Sequence, residues 1–272
     1  MDILKDDFTI GLFGAGHLAR SLASRFILNG VDEGRLSICH RGSPATSVAL
    51  RDAGLSHLVR EPAEVVKRSQ MLLYTVRPQD YAAIAEYTTS PDALFVSFLA
   101  GVPLNRIPVA APGGQRIRVM PSAPDTLMGG NAIAAVYPAS NVYAHALLKL
   151  MGARIYPVHE ESQLHAFTVL GPCLPVALTL WESMGRTVED GEILAIATSF
   201  GLPDPAGILK WARAARPPIS LDSQLDRYLS QAATKGGVTE GILDAMRAGA
   251  SLPDSLRSGI KRSIELSQEA EE

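Results

Sequence analysis

Cysteine is scarce. Cys39 and Cys173 are the only two in 272 residues. Their separation fits neither a disulfide framework nor the paired spacing of a metal site, so no metal is expected. An excess of one charge is also lacking: 25 Lys and Arg stand against 28 Asp and Glu, a net charge of −3. Such balance provides no field for nucleic acid or a membrane surface, and neither is an expected partner. Aromatics make up only 6%, and the abundant Ala and Gly favour closely packed helices. The longest uncharged run, residues 166–181, falls short of the ~20 residues of a bilayer span and contains Pro172 and Pro175. The opening stretch "MDILKDDFTIGLFG" is acidic where a secretory signal would be basic, so a soluble cytoplasmic protein is expected. What is present is a well-buried composition, 47% apolar and 19% charged. Its length suits one large domain or two moderate ones.

The first half alternates short apolar runs with helical patterns. Strands are predicted at residues 8–13, 36–40, 71–76, 94–98, 117–120, 132–136 and 154–157. Helices are predicted at 17–29 and 43–53, after Pro78, and at 141–151. Alternation of this kind implies a parallel sheet covered by helices on both faces. Beyond residue 158 strand signals stop. Five or six helices are expected, separated at Gly185, Gly201, Pro217-Pro218, Gly236-Gly237, Gly249 and Pro253. The first of them, about 162–184, is apolar nearly all round, as a helix buried on every side would be. A domain of roughly 110 residues has difficulty enclosing such a helix alone. A partner subunit covering part of it is the expectation, with burial against the first domain as the alternative.

The first strand runs into Gly14-Ala15-Gly16-His17-Leu18-Ala19 and then a helix. Gly14 permits a tight turn, Gly16 lets a pyrophosphate approach the backbone, and Ala19 allows close helix–strand packing. The helix start offers N–H groups and partial positive charge to phosphates. A Rossmann-like doubly wound α/β domain over 1–157 follows, with an all-helical domain over 158–272. No acid lies between Ser37 and Pro44, where an NAD site would usually carry one; Arg41 and Ser43 stand there instead. A guanidinium suits a 2′-phosphate, so NADPH is expected over NADH. The segments "YTVRPQD" and "RVMPSAPDTLMGG" place Val76, Arg77, Pro78 and Met120 at carboxyl ends of strands, where ligands gather. These residues flank the nicotinamide, or Pro78 forms a turn and Met120 packs in the core.

Taken in order, "IGLFGAGHLA", "VRPQ", "SFLAGV", "RVMPSAPDTLMGG", "ESQLHAFTVLG" and "TKGGVTEGILDAMRAG" resemble the motifs of the pyrroline-5-carboxylate reductase family across nearly the whole chain. The resemblance implies an NAD(P)H-dependent reductase of a cyclic imine. It also implies a helical dimerisation domain, a homodimer or larger homo-oligomer, and a substrate held at the dimer interface by the loop that this family writes S-P-G-G-T-T. Gly236 and Gly237 match the two glycines of that loop, and Thr239 matches its substrate-binding second threonine. Thr234, Lys235 and Val238 stand where the family has serine, proline and threonine. The family's S-G-S-G-P loop corresponds to "GPCLP" (residues 171–175), without hydroxyls. The cofactor side is better kept than the substrate side, which fits a paralogue acting on a different cyclic imino acid.

Reduction of a protonated imine needs no strong side-chain acid, because the cofactor carries the hard chemistry. The expected substrate site is a carboxylate cradle of Gly236 and Gly237 N–H groups, with Thr234, Lys235 and Val238 around it and Thr239 hydrogen-bonding ring nitrogen or carboxylate. Two alternatives stay open. A β-hydroxyacid-dehydrogenase-like enzyme would need a general base, usually Lys, and the first helix of the second half has none. A non-catalytic NADP-binding regulatory protein would fit the missing loop hydroxyls.

Overall fold

The central strands form where short runs are mainly apolar and buried throughout, because both faces of a helix-covered parallel sheet are buried. The computed structural model describes residues 8–109, 115–219, 221–233 and 235–269. The order is β1 (Ile10–Phe13), α1 (His17–Leu28), β2 (Leu36–Cys39), α2 (Pro44–Asp52), α3 (Pro62–Arg68), β3 (Met71–Tyr74), β4 (Leu94–Ser97), β5 (Arg116–Pro121), α4 (Pro124–Met128), β6 (Ile133–Tyr137), α5 (Val142–Met151) and β7 (Arg154–Pro157). The sheet runs β2-β1-β3-β4-β5-β6-β7. Pairing is parallel from β2 through β5 and antiparallel between β5 and β6. Strand order reverses at β1, which lies between β2 and β3. At such a switch point the connections leave in opposite directions and open a crevice at the carboxyl ends of the strands. This is the doubly wound Rossmann-like fold the alternation implies.

Two local features were not foreseen. Gly11, inside β1, has no room for a side chain: a Cβ there would lie 2.0 Å from Ser69 Oγ and 2.8 Å from Val65 Cγ1. The end of α3 therefore packs directly on the strand backbone. The stretch after Pro78 is a 3-10 segment, Pro78–Glu86, kinked at Asp80 (φ −97, ψ 16). The buried Tyr74 hydroxyl donates toward the carbonyls of Asp80, at 3.1 Å, and Tyr81, at 3.0 Å. Drawing these two carbonyls aside works against a regular i→i+4 ladder.

The chain divides into two compact units, Met1–Ile155 and Tyr156–Glu272. The second holds α6 (Gln163–Thr168), a π-helical turn (Val169–Cys173), α7 (Leu174–Ser183), α8 (Asp190–Ser199), α9 (Pro205–Ala214), α10 (Asp222–Ala232), α11 (Val238–Arg247) and α12 (Leu252–Glu269). From α6 through α7 the chain is one continuous 21-residue rod, long and apolar enough by length and composition to cross a membrane. In the structure 78% of its apolar window is buried inside the protein. Helices α9, α11 and α12 of the same unit pack on it. Much of the rod's apolar surface is thus covered by helices of its own unit. The expected separations all fall between helices except Pro253. It lies in the first turn of α12, where a missing N–H costs nothing.

Candidate functional site

The end of β1 builds one wall of a cleft in the first unit. Gly14 N–H donates to the Cys39 carbonyl at 3.0 Å. Its φ of +117 is one that L side chains avoid, and a Cβ would sit 2.9 Å from the carbonyl carbon and oxygen of Thr75. Gly16 differs. Its backbone (φ −66, ψ −176) is open to any residue, yet a Cβ there would meet nothing within 4 Å. Gly16 supplies no side-chain cap to α1, and the first turn of α1 holds no acid. The leading N–H groups and the positive helix end are thus left without a side-chain partner.

A cleft of about 740 Å³ opens at this place. Of the sequence-derived cofactor residues, Gly14, Ala15, Gly16, Arg41, Ser43, Val76 and Arg77 line it. His17, Leu18, Pro78 and Met120 are not among the lining residues. His17 Nε2 lies 3.6 Å from the Asp125 carboxylate. Leu18 packs against the core of the first unit. Pro78 opens the 3-10 segment, and Met120 is buried within β5. An uncapped helix start, a Cβ-free approach and two arginines suit an anionic dinucleotide.

Arg41 is not isolated. Its guanidinium donates to the carboxylate of Asp80, and the side chains are 75% and 20% exposed. Asp80 lines the same cleft, so an acid does reach this place, carried by the loop after β3 instead of by β2. Arg77 has no acidic partner among the described residues. Burial pushes the Cys39 thiol up to about 12, and the Tyr74 hydroxyl is raised as well, also chiefly by burial. Both groups are neutral at physiological pH and serve packing.

The residues expected to bind substrate lie in the helical unit and are described by themselves. Gly236 adopts φ +72. Its N–H donates to Glu240 Oε2 at 2.6 Å. Its carbonyl accepts from Arg262 Nε and Nη2, at 3.2 and 3.0 Å. The cradle expected from both glycines is thereby altered: a carboxylate of the protein itself already holds the Gly236 N–H, in the manner of an N3 glutamate reaching back over a helix start. Gly237 forms the N-cap of α11 without a side-chain cap. Thr239 is half-buried, and its hydroxyl lies 3.3 Å from Cys173 Sγ. Lys235 is exposed. Val238 is buried with Ile242, Leu243 and Met246, so its side chain belongs to the helical core and is not free for a ligand. Thr234 lies outside the described residues. Residues 171–175, which correspond to the family's S-G-S-G-P loop, lie within the helical stretch expected over about 162–184: Gly171, Pro172 and Cys173 complete the π turn and Leu174 and Pro175 start α7. Burial raises the Cys173 thiol to about 11, opposed by the Thr239 hydrogen bond.

Residues 9–101 match the family described as NADP oxidoreductase, coenzyme F420-dependent. The chain is 30% identical over 127 residues to the pyrroline-5-carboxylate reductase of Pisum sativum, covering 46% of each protein. It thus spans about half the length of that relative. It is 26% identical over 272 residues to the pyrroline-5-carboxylate reductase of Synechocystis, covering 94% of this chain and 97% of the relative. In fold it is similar to the Plasmodium falciparum pyrroline carboxylate reductase solved with NADP bound. The TM-score there is 0.59 at 12% identity, over 96% of this chain and 99% of that one. With the motifs in family order and the doubly wound fold in place, the chain is similar to pyrroline-5-carboxylate reductases along nearly its whole length, and its first part matches an NADP-dependent oxidoreductase family.

Proposed function

We propose that this chain reduces a cyclic imino acid, pyrroline-5-carboxylate to proline or a related ring, with NADPH preferred over NADH. The proposal includes a cytoplasmic homodimer or larger homo-oligomer, as the family resemblance implies. The observation that carries it is the start of α1: uncapped, free of acids, and opening through Gly16 onto a cleft that holds Arg41 and Ser43. When bound, the reduced nicotinamide supplies the hydride. Gly14 and Gly16 admit the pyrophosphate to the helix start, Arg41 and Ser43 take the 2′-phosphate, and Val76 and Arg77 border the remainder of the cleft.

On the substrate side, the uncapped first turn of α11 behind Gly237 offers N–H groups to a carboxylate. The Thr239 hydroxyl orients the ring, held in place by Cys173. A protonated C=N already has an electron-poor carbon, so orientation and exclusion of water are the tasks left to the protein. Initial rates of NADPH oxidation with five- and six-membered cyclic imino acids test the reading. Turnover with either ring supports it. Tight NADPH binding without turnover on any imine would favour a regulatory protein, and NADP-dependent oxidation of a β-hydroxy acid would favour the dehydrogenase.

A further inference from the structure

Arg41 is the cation that the cleft offers to a 2′-phosphate, but the structure has it already bound to an acid. Asp80 lines the same cleft and accepts from Arg41 Nη2. The two ends of this pair are not equally fixed. Asp80 sits at the kink of the 3-10 segment. Its N–H donates to the Arg77 carbonyl at 2.9 Å, and its carbonyl receives the Tyr74 hydroxyl at 3.1 Å. Its side chain is mostly covered, while that of Arg41 is 75% exposed. The acid is therefore the anchored partner and the guanidinium the adjustable one. The other charged groups lining the cleft are Arg77 and Glu86, with His40 beside Arg41; His40 Nδ1 accepts from Gly42 N–H at 3.1 Å.

A dinucleotide site discriminates at the adenosine ribose. A carboxylate there accepts from the 2′-hydroxyl of NADH, and a guanidinium there takes the 2′-phosphate of NADPH. This cleft holds both groups, joined to each other. We propose that Asp80 is a specificity-determining residue that narrows the preference for NADPH. It competes with the 2′-phosphate for Arg41, and it places a negative charge beside that dianion. It also supplies NADH with the ribose acceptor that β2 lacks. This inference rests on the reading of the cleft as the cofactor site and deepens it: Arg41 by itself calls for NADPH, whereas the pair gives an enzyme that tolerates both cofactors.

Calorimetric titration tests this with NADPH, NADH, 2′,5′-ADP and 5′-AMP. The last two isolate the ribose end from the nicotinamide. The proteins are wild type, Asp80→Asn, Arg41→Ala and the double variant, with Asp80→Ser and thermal melting as controls for folding. Asp80→Asn is expected to tighten NADPH and 2′,5′-ADP about fivefold to tenfold and to leave 5′-AMP and NADH unchanged or weaker. In the Arg41→Ala background that gain should shrink, because competition for Arg41 is gone and only the repulsion between Asp80 and the phosphate remains. Wild-type binding of both cofactors with an NADPH/NADH ratio unmoved by Asp80→Asn and Asp80→Ser overturns the role of Asp80 alone. An equal gain with and without Arg41 overturns it too. Failure of the wild type to bind either cofactor overturns the cleft reading itself.

Discussion

Gly14 and Gly16 stand two residues apart in one turn, yet the structure gives them different reasons to be glycine. Gly16→Ala puts a methyl where nothing lies within 4 Å, on a backbone that alanine adopts freely. The free protein should fold as before, and the restricted unfolded chain gains it about 0.4–1 kcal/mol. The same methyl projects over the start of α1, where the pyrophosphate is to approach. Gly14→Ala is the reverse case. It forces alanine to φ +117 and brings its Cβ to 2.9 Å from the Thr75 carbonyl, at a cost of about 1–3 kcal/mol for the backbone alone.

Differential scanning fluorimetry separates the two. Ligand at a hundred times its Kd adds about 2.7 kcal/mol. For a unit of 155 residues that is a rise of about 5–11 °C in melting temperature. Wild type should show this rise with NADPH. Gly16→Ala should melt at or slightly above the wild-type temperature without ligand and show no rise with it. Gly14→Ala should melt about 2–12 °C lower without ligand. A Gly16→Ala protein that keeps the full NADPH shift would refute the placement of the pyrophosphate at this helix.

Thr239→Ala should lower the rate of imine reduction at least tenfold while the Kd of NADPH stays within twofold, and Thr239→Ser should restore most of the rate. Full activity in the alanine variant, or loss of NADPH binding, would remove Thr239 from substrate orientation. The buried thiols give a pH signature. Both are raised above the ordinary thiol value of 9.0, Cys173 to about 11 and Cys39 to about 12. The stability they contribute is full below pH 9 and falls as pH rises from 9 toward those values. The slope is at most about 1.4 kcal/mol per pH unit for each thiol. Urea unfolding at pH 8 and pH 10.5 should show this loss, and Cys173→Ala should lose less; equal losses would speak against the burial assignment.

The sheet was legible because most strands are short, mainly apolar runs, and the cofactor turn because its glycines come between a strand and a helix. The carboxylate of Asp80 was not, although it lies in the quoted segment "YTVRPQD". Its partner Arg41 is 39 residues away, and only the kink after Pro78 brings the two together. Glu240 was readable, standing three residues after the N-cap Gly237 as a capping glutamate does. Arg262, 26 residues beyond Gly236, gives no local signal. Val238 was placed by its position in a motif, while its spacing from Ile242 and Met246 marks the apolar stripe of a helix. The rod over 162–184 was legible from its apolar run, but the π turn that accommodates the missing N–H of Pro172 inside it gives no sequence signal.

Transfer of deuterium from the nicotinamide C4 of labelled NADPH to a cyclic imino acid, followed by mass spectrometry of the product, tests the central claim most directly. The account predicts one deuterium on the former imine carbon of the cyclic amino acid, with loss of that transfer in Gly16→Ala. Binding of NADPH with no deuterium in any five- or six-membered ring product would contradict it.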